Sequence, residues 1–266
     1  MTDLANKTIL ITGAGGGFGR QMVLQFRAAG AKLLLTDIND QLLQDAVADA
    51  GDDLVASFIA DLSTQEGCDA LGETCDSLDV VPDILVNNAG LAVAGRLDHV
   101  PPERWEMLMQ LNLLAPMRLT NRFIPGMIER GSGHIVNISS IASWVGAESL
   151  SAYCAAKFGL RGFGISLAAD LEGTGVEVTN VYPCFSRTPI LDSPQYGFEE
   201  QRSAPEFLIS DPARVVDRIV DGVRRNRLNV FPDKYARLIH FLSRFAPRLL
   251  RILDRHVQAQ SKEVKL

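Results

Sequence analysis

The sequence has 266 residues, of which 47% are hydrophobic and 22% are charged, and its formal net charge is −6. A chain of this size can bury a large core as one domain, and its negative charge argues against general nucleic-acid binding. Its four cysteines lack the spacing of a metal site or disulfide framework. We find no secretion signal and no apolar run of 18 residues, so we expect reduced thiols, no bound metal and a cytoplasmic location.

Seven short runs of β-branched residues or leucine predict strands, and longer helical patterns lie between them. Runs that are apolar nearly throughout are typical of strands covered on both faces. The alternation predicts an α/β fold: a doubly wound, Rossmann-like parallel sheet of about seven strands with helices on both faces. We expect one domain over residues 1–266, with a substrate-loop insertion at about 189–210 and a C-terminal helical extension at about 233–257. The strand runs are residues 8–11, 32–36, 54–59, 83–86, 134–138, 176–181 and 228–231.

A glycine-rich turn follows the first strand, where residues 12–19 read TGAGGGFG. Glycines let the backbone approach a pyrophosphate closely, and a helix N-terminus offers free N–H groups. Such turns also connect strands to helices for steric reasons alone. Because this turn is the first βα turn, where dinucleotides bind, it favours cofactor binding.

Asp37 ends the second strand, where an acidic residue can accept hydrogen bonds from the ribose hydroxyls of a dinucleotide. Its carboxylate would repel a 2′-phosphate, and neither Thr36 nor Ile38 is basic. NAD is therefore favoured over NADP. The alternative is that Asp37 only caps the next helix, a role that Asn39 can also take.

The chemistry is predicted from Ser140, Tyr153 and Lys157. Tyr153 and Lys157 stand four residues apart, on one face of a predicted helix. We expect the lysine to lower the pKa of the tyrosine, so that its hydroxyl can exchange a proton with a carbonyl or alcohol oxygen. Ser140 follows the fifth strand and can donate a hydrogen bond to the same oxygen.

These motifs together resemble those of the short-chain dehydrogenase/reductase family over nearly the whole chain. Residues 12–19 are similar to its cofactor motif, and residues 87–90 match its NNAG segment. Asn112, with the three residues above, matches its catalytic tetrad in order and spacing.

The resemblance implies a role for each member of the tetrad. Tyr153 is the expected general acid/base, and Lys157 also binds the nicotinamide ribose. Ser140 orients the substrate oxygen, and Asn112 holds a water that relays protons. The alternative interpretation is that Asn112 is a solvent-facing residue of a helix.

The resemblance also implies contacts with the cofactor, including one from Asp61 to the adenine. The alternatives are that Asp61 caps the next helix and that Asn87 and Gly90 only stabilise their turn. In place of the family's usual Pro-Gly stands Pro183-Cys184, and Cys184 is either a reactive thiol or, as we favour, a small packing residue. The expected cofactor contacts are Gly13, Gly17, Phe18, Gly19, Asp37, Asp61, Leu62, Asn88, Ala89, Gly90, Tyr153, Lys157, Pro183 and Thr188.

The substrate is expected between Ser140 and the segment after Pro189. Its predicted neighbours are mostly apolar, which favours an apolar alcohol or ketone of the steroid, retinoid, terpenoid or acyl type. Alternatively, several of these side chains pack a helical lid. The predicted pocket residues are Ser140, Trp144, Phe185, Ile190 and Leu191, with Tyr196, Phe198 and Phe207 as further candidates.

The C-terminal segment predicts a basic amphipathic helix that kinks at Pro247. Such a helix can lie on an anionic membrane, or its apolar side can cover the pocket or a neighbouring subunit; packing on protein is favoured. The arginines are Arg237, Arg244, Arg248, Arg251 and Arg255. Leu238, Phe241, Leu242, Phe245, Leu249, Ile252 and Leu253 are expected on the other side.

The sequence thus predicts an NAD(H)-dependent oxidoreductase that interconverts a secondary alcohol and a ketone. A homodimer or homotetramer is a family expectation. Two other interpretations are a non-catalytic dinucleotide sensor and a peripheral membrane or interaction protein.

Overall fold

The computed structural model describes residues 1–201 and 203–250 of the chain. The strands are β1 Thr8–Thr12, β2 Lys32–Asp37, β3 Leu54–Ile59, β4 Ile84–Asn87, β5 Ala94–Gly95, β6 Gly133–Ile138, β7 Val176–Val181, β8 Gln195–Tyr196 and β9 Asn229–Val230. The α-helices are α1 Gly17–Ala28, α2 Asp40–Ala50, α3 Gln65–Ser77, α4 Pro102–Met109, α5 Ala115–Glu129, α6 Ser151–Asp170, α7 Pro212–Arg224 and α8 Lys234–Phe245. A π turn, Gln110–Leu114, joins α4 to α5.

The predicted seven-stranded sheet is confirmed. Its order is β3-β2-β1-β4-β6-β7-β9, and neighbouring strands are parallel throughout. The chain leaves β1 toward one edge and returns beside β1 as β4. A crevice therefore opens between the carboxyl ends of β1 and β4, where doubly wound folds bind their ligands.

Each face of the sheet is covered by helices, as predicted. Successive strand residues point to opposite faces, so Ile9 and Ile11 pack with Met22 and Phe26 of α1 on one side. Leu10, between them, packs on the other side in the cluster that includes residues of α3 and α5. Full burial of such side chains stabilises the fold by roughly 1.5–3 kcal/mol each.

Two features differ from the sequence prediction. The last strand is only Asn229–Val230, shorter than the run 228–231. A small second sheet was not predicted: β5 pairs with β8 and ties the substrate-loop insertion to the segment after β4. Two-residue strands have no periodicity that a sequence pattern can reveal.

The C-terminal extension begins with α8, whose N-terminus is capped by Asp233, and it breaks at Ala246, directly before Pro247. Helical backbone resumes over residues 247–250. The kink is therefore where proline predicts it. No helix in residues 1–201 and 203–250 is long and apolar enough to cross a membrane. The predictions for Arg251, Ile252, Leu253 and Arg255 lie outside the described residues.

The predicted apolar side of this extension is only partly buried against the protein. Of the described apolar residues, Leu242 is buried, but Leu238, Phe241, Phe245 and Leu249 are exposed. The segment carries more apolar side chains than the strip of helix that meets the core can bury.

Candidate active site

The glycine-rich turn closes tightly against two other segments. Gly13 has a φ of +63°, and a Cβ placed there would lie 2.9 Å from the Cα of Ala89. A Cβ on Gly17 would lie 2.5 Å from Cγ2 of Thr188. Glycine is thus required for backbone conformation at the first position and for space at the second. The turn leaves its backbone open to a ligand, as a pyrophosphate site demands.

Polar side chains of neighbouring strands hold this turn in place. The Thr12 hydroxyl donates to the carbonyl of Val86 and accepts from the N–H groups of Asn88 and Ala89. The Asn88 amide donates to the carbonyls of Thr12 and Gly13. Asn88 therefore stabilises the turn and also lines the cavity beside it.

Asp37 lies at the end of β2 and faces the same cavity. Its carboxylate accepts hydrogen bonds from the N–H groups of Gly15 and Asn39, both at 3.0 Å. The N-cap of α2 is Asn39, whose side chain accepts from the N–H of Leu42. The alternative that Asp37 serves as the helix cap is therefore wrong.

Asp61 also lies in the cavity wall, next to Leu62. One of its carboxylate oxygens accepts hydrogen bonds from the N–H and the hydroxyl of Ser63. The next helix, α3, is capped by the Thr64 side chain, so Asp61 is not its cap. Contact between Asp61 and an adenine stays a prediction.

Ser140, Tyr153 and Lys157 meet in the middle of the cavity wall. The Ser140 side chain is close enough to the Tyr153 hydroxyl to favour its ionised form. Lys157 donates to the carbonyl of Ile138 at 3.0 Å, and its Nζ lies 5.7 Å from the centroid of the Tyr153 ring. Three of the four predicted catalytic residues thus come together at the end of β6 and on α6.

The pKa of Tyr153 shifts in the direction opposite to the expected one. Burial raises the pKa of Tyr153 to about 12, and the Ser140 side chain opposes this only in part. Burial also lowers the pKa of Lys157 to about 8. The expected lowering of the Tyr153 pKa by the lysine is therefore wrong for the protein chain alone, because desolvation outweighs other effects.

Asn112 is buried in the π turn between α4 and α5. Its side-chain oxygen accepts from the N–H of Leu91 at 2.9 Å, and its amide donates to the carbonyl of Leu91 at 2.8 Å. The alternative that it faces solvent is wrong. π turns often mark functional sites, but the relay role stays a prediction.

Cys184 lies in the cavity wall beside Pro183. Its N–H donates to the Asp233 carboxylate at 2.9 Å, and burial raises the pKa of its thiol to about 12. A thiol with so high a pKa is a poor nucleophile at neutral pH, which supports the packing interpretation. Asp233 was not predicted as a site residue, although an acidic residue before a helical pattern is a recognisable cap signal.

The predicted substrate residues line the far end of the cavity, where they are joined by residues of the C-terminal segment. The Trp144 ring also packs on the guanidinium of Arg161, 3.5 Å from the ring centroid, and on the ring of His240 at 4.3 Å. Tyr196 packs in a separate hydrophobic cluster. The lining residues here include Trp144, Phe185, Ile190, Leu191, Phe198, Phe207, Leu238, Ile239 and Leu242.

One continuous cavity of about 1290 Å³ thus runs from the glycine-rich turn, past the Ser140–Tyr153–Lys157 cluster, to α8. It includes most of the predicted cofactor contacts. Gly19 lies outside it, because it is buried in α1, where a Cβ would meet the carbonyl oxygen of Gly13 at 2.0 Å. Among the described lining residues, Lys157 is the only cation.

Comparison with known proteins agrees with this geometry. The family described as short chain dehydrogenase matches residues 7–195. The chain belongs to this family. Membership accounts for the sheet order, the glycine-rich turn and the Ser140–Tyr153–Lys157 cluster in one fold.

Two relatives show how far the similarity extends. A protein named probable oxidoreductase EphD, from Mycobacterium tuberculosis, is 32% identical over 260 residues. The match covers 91% of this chain but 44% of EphD, so the chain spans less than half the length of that relative. Human epidermal retinol dehydrogenase 2 is 31% identical over 92% of this chain and 80% of its own length.

Solved structures share the fold over most or all of this chain. A short-chain dehydrogenase from Streptomyces avermitilis has a TM-score of 0.80 at 26% identity and covers 100% of both chains. A 3-ketoacyl-(acyl-carrier-protein) reductase from Brucella melitensis, crystallised with NADH, has a TM-score of 0.74 at 27% identity and covers 83% of this chain and 91% of its own. A short-chain dehydrogenase from Sphingobium yanoikuyae, with NADPH, has a TM-score of 0.76 at 25% identity over 97% and 96%. Related structures therefore bind either nicotinamide dinucleotide.

Proposed function

We propose that the protein is an NAD(H)-dependent oxidoreductase that interconverts a secondary alcohol and a ketone on an apolar substrate. The observation that carries this proposal is the single cavity, which joins a phosphate-binding turn to a Tyr–Lys–Ser cluster and then to an apolar chamber. A dinucleotide fits the first part and an apolar substrate the last. The reacting carbon then lies at Tyr153.

The residues present fit a nicotinamide dinucleotide. The open backbone of the glycine-rich turn suits the pyrophosphate, and Lys157 suits the nicotinamide ribose. When bound, the cofactor supplies or accepts a hydride at its nicotinamide ring. The Asp37 carboxylate can accept hydrogen bonds from ribose hydroxyls and would repel a 2′-phosphate. Lys157 is the only cation among the described residues that line the cavity. These charges favour NAD over NADP.

The chain's own side chains then handle the proton. At neutral pH Tyr153 is protonated, since burial holds its pKa at about 12. Its hydroxyl can donate to a carbonyl oxygen during reduction, while Ser140 donates a second hydrogen bond and stabilises the developing charge. In the reverse direction Tyr153 accepts the alcohol proton. Lys157 in its cationic form favours the Tyr153 phenolate, which forms during reduction and takes up the alcohol proton during oxidation.

The apolar chamber supports a lipophilic substrate. Trp144, Phe185, Ile190 and Leu191 line it, and the relatives named above include a retinol dehydrogenase. Pockets with apolar walls and few polar groups select substrates by buried apolar area. A steroid, retinoid, terpenoid or long acyl alcohol is the proposed substrate class.

The test is a spectrophotometric screen at the absorbance band of the reduced nicotinamide. Native protein is mixed with NAD or NADP and secondary alcohols of increasing apolar size, and Tyr153→Phe is measured beside it. We expect turnover with NAD, rising with apolar size and lost in the variant. Tight NADH binding without turnover of any alcohol or ketone would point to a sensor, and absence of dinucleotide binding would overturn the proposal.

A homodimer or homotetramer is proposed as well. Large apolar side chains on α4, α5 and α6 are about 40% exposed: Met107, Met117, Phe158 and Ile165. Phe158 and Ile165 are seven residues apart and so share one face of α6. A second copy would bury this surface. Light scattering on the eluting protein should give a multiple of 29.0 kDa, and Phe158→Glu should reduce it.

A further inference from the structure

The outward face of α8 is apolar although it faces solvent. Leu238, Phe241 and Phe245 follow at helical spacings of three and four residues and are 52%, 56% and 68% exposed. The rings of Phe241 and Phe245 touch, with centroids 5.0 Å apart. We call these three residues the α8 stripe. A contiguous patch of this kind marks an interaction surface more often than scattered single residues do.

The α8 stripe adjoins the mouth of the cavity. Leu238 belongs to the stripe and also lines the cavity, so it stands at the rim. Phe207, from the substrate-loop insertion, is 57% exposed, lines the cavity too, and packs edge-on against Tyr235 at the start of α8. The exposed apolar surface therefore continues from α8 across the rim to the insertion.

The acidic and basic residues of the α8 segment are unevenly balanced, because every lysine, arginine, aspartate or glutamate within residues 234–250 is a lysine or an arginine. Residues 234–250 contain four lysine and arginine residues and no aspartate or glutamate, although the whole chain has a net charge of −6. Within residues 1–201 and 203–250, none of these four cations forms a salt bridge. All four are exposed, and Arg237 and Arg244, seven residues apart, lie on one face of the helix. The cations are Lys234, Arg237, Arg244 and Arg248.

We propose that the α8 stripe and its cations dock on an anionic lipid surface, with the mouth of the cavity facing the lipid. Exposed phenylalanines beside arginines are what an interfacial helix presents to headgroups and acyl chains. A second copy of the chain is a poorer occupant, because the facing helices would bring like charges together. Docking goes beyond the proposed reaction; only its consequence, that apolar substrates enter from the lipid, rests on the proposed function.

The test is cosedimentation of the full chain with two kinds of vesicle, phosphatidylcholine alone and phosphatidylcholine mixed with phosphatidylserine. We expect binding to the anionic vesicles only, weakened by high salt. Arg237→Gln with Arg244→Gln should weaken it about 30-fold, and Phe241→Ser with Phe245→Ser at least about tenfold. None of these four residues lines the cavity.

Matched controls carry the same changes elsewhere on the surface. Arg214→Gln with Arg218→Gln removes two charges from α7, and Leu24→Ser with Ile128→Ser removes two exposed apolar groups from α1 and α5; both should bind as the native chain does. Circular dichroism checks that every variant folds. The proposal is overturned if the native chain ignores anionic vesicles, or if the α8 variants bind unchanged.

Light scattering measures whether the α8 variants lose self-association. If they do, and if the native chain does not bind vesicles, a second copy occupies the stripe and the proposal is overturned. Vesicle binding by a chain that turns over no alcohol or ketone would support docking while removing the proposed reaction. The two proposals therefore fail separately.

Discussion

At the glycine-rich end of the cavity, Thr12, Asp37 and Asn88 each form at least two side-chain hydrogen bonds with neighbouring backbone. At the α8 end the contacts are mainly between rings, such as Trp144 with His240. Hydrogen bonds fix distance and direction, whereas apolar contacts tolerate displacement. One end of the cavity is thus held in a fixed geometry, and the other tolerates more displacement of its side chains. Substitutions should cost far more at the first end than at the second.

Lys157→Met should give the largest effect, and in opposite directions for activity and stability. We expect turnover to fall about 1000-fold, since the cation that stabilises the Tyr153 phenolate is lost. The free energy of unfolding at pH 7 should rise by about 1–3 kcal/mol. Burial lowers the pKa of Lys157 to about 8, so its charged form destabilises the folded state, and methionine removes that charge.

The pH dependence of that gain checks its cause. Unfolded Lys157 keeps its proton up to about 10.5, so folding is penalised most below pH 8 and the penalty fades as pH rises toward 10.5. Urea unfolding of native protein and variant at pH 7 and pH 10 measures it. An equal gain at both pH values would contradict the account.

Asp37→Ser should alter cofactor choice by a smaller factor. We expect NADH affinity to fall about 10- to 30-fold and the preference over NADPH to disappear, because the hydrogen-bonding carboxylate is gone. Dissociation constants from NADH and NADPH fluorescence measure both. Asp40→Ser, in the first turn of α2 and outside the cavity, is the control. An unchanged ratio of the two affinities would show that Asp37 does not read the ribose.

The pH profile of the reaction should differ between its two directions. Alcohol oxidation needs deprotonated Tyr153, whose pKa burial raises to about 12, so kcat/KM should rise by up to about tenfold per pH unit from about pH 6 to 8. Above about pH 8 the rise should flatten, because Lys157, whose pKa burial lowers to about 8, loses the charge that favours the phenolate. Ketone reduction needs the protonated form and should show no such rise. Initial rates in both directions from pH 6 to 10 make the comparison. Parallel profiles would exclude Tyr153 as the proton donor and acceptor.

Ile239→Ala should have the smallest effect, because it lies at the tolerant end of the cavity. Ile239 is half-buried and lines the cavity. Removing part of this wall should lower kcat/KM about threefold to tenfold for long apolar substrates and leave short ones unchanged. Phe241→Ala, on the same helix but outside the cavity, is the control in lipid-free buffer. A large loss with short substrates would mean that the α8 end is as rigid as the glycine-rich end.

The sheet could be predicted from the sequence because its strands are apolar on both faces. Such strands are visible in the sequence as short continuous apolar runs. Tyr153 and Lys157 were found for a similar reason, since helical spacing alone places them together. Ser140 needed more, namely the rule that the carboxyl ends of parallel strands meet at one edge.

Other features depend on contacts between distant segments and leave no local pattern. The pairing of β5 with β8 and the bond from Cys184 to Asp233 join residues far apart in the sequence. The direction of the Tyr153 pKa depends on how completely α6 is covered, which residue spacing does not reveal. The exposure of Phe241 and Phe245 likewise depends on how much of α8 the core can reach.

The most direct test of the proposed reaction uses NADH deuterated at the transferable position of its nicotinamide. A ketone that the native protein reduces is incubated with this cofactor, and the alcohol is analysed by mass spectrometry. We expect one deuterium on the carbinol carbon and only traces of product with Tyr153→Phe. An alcohol without deuterium, or undiminished product from the variant, would contradict hydride transfer at the Tyr153 site.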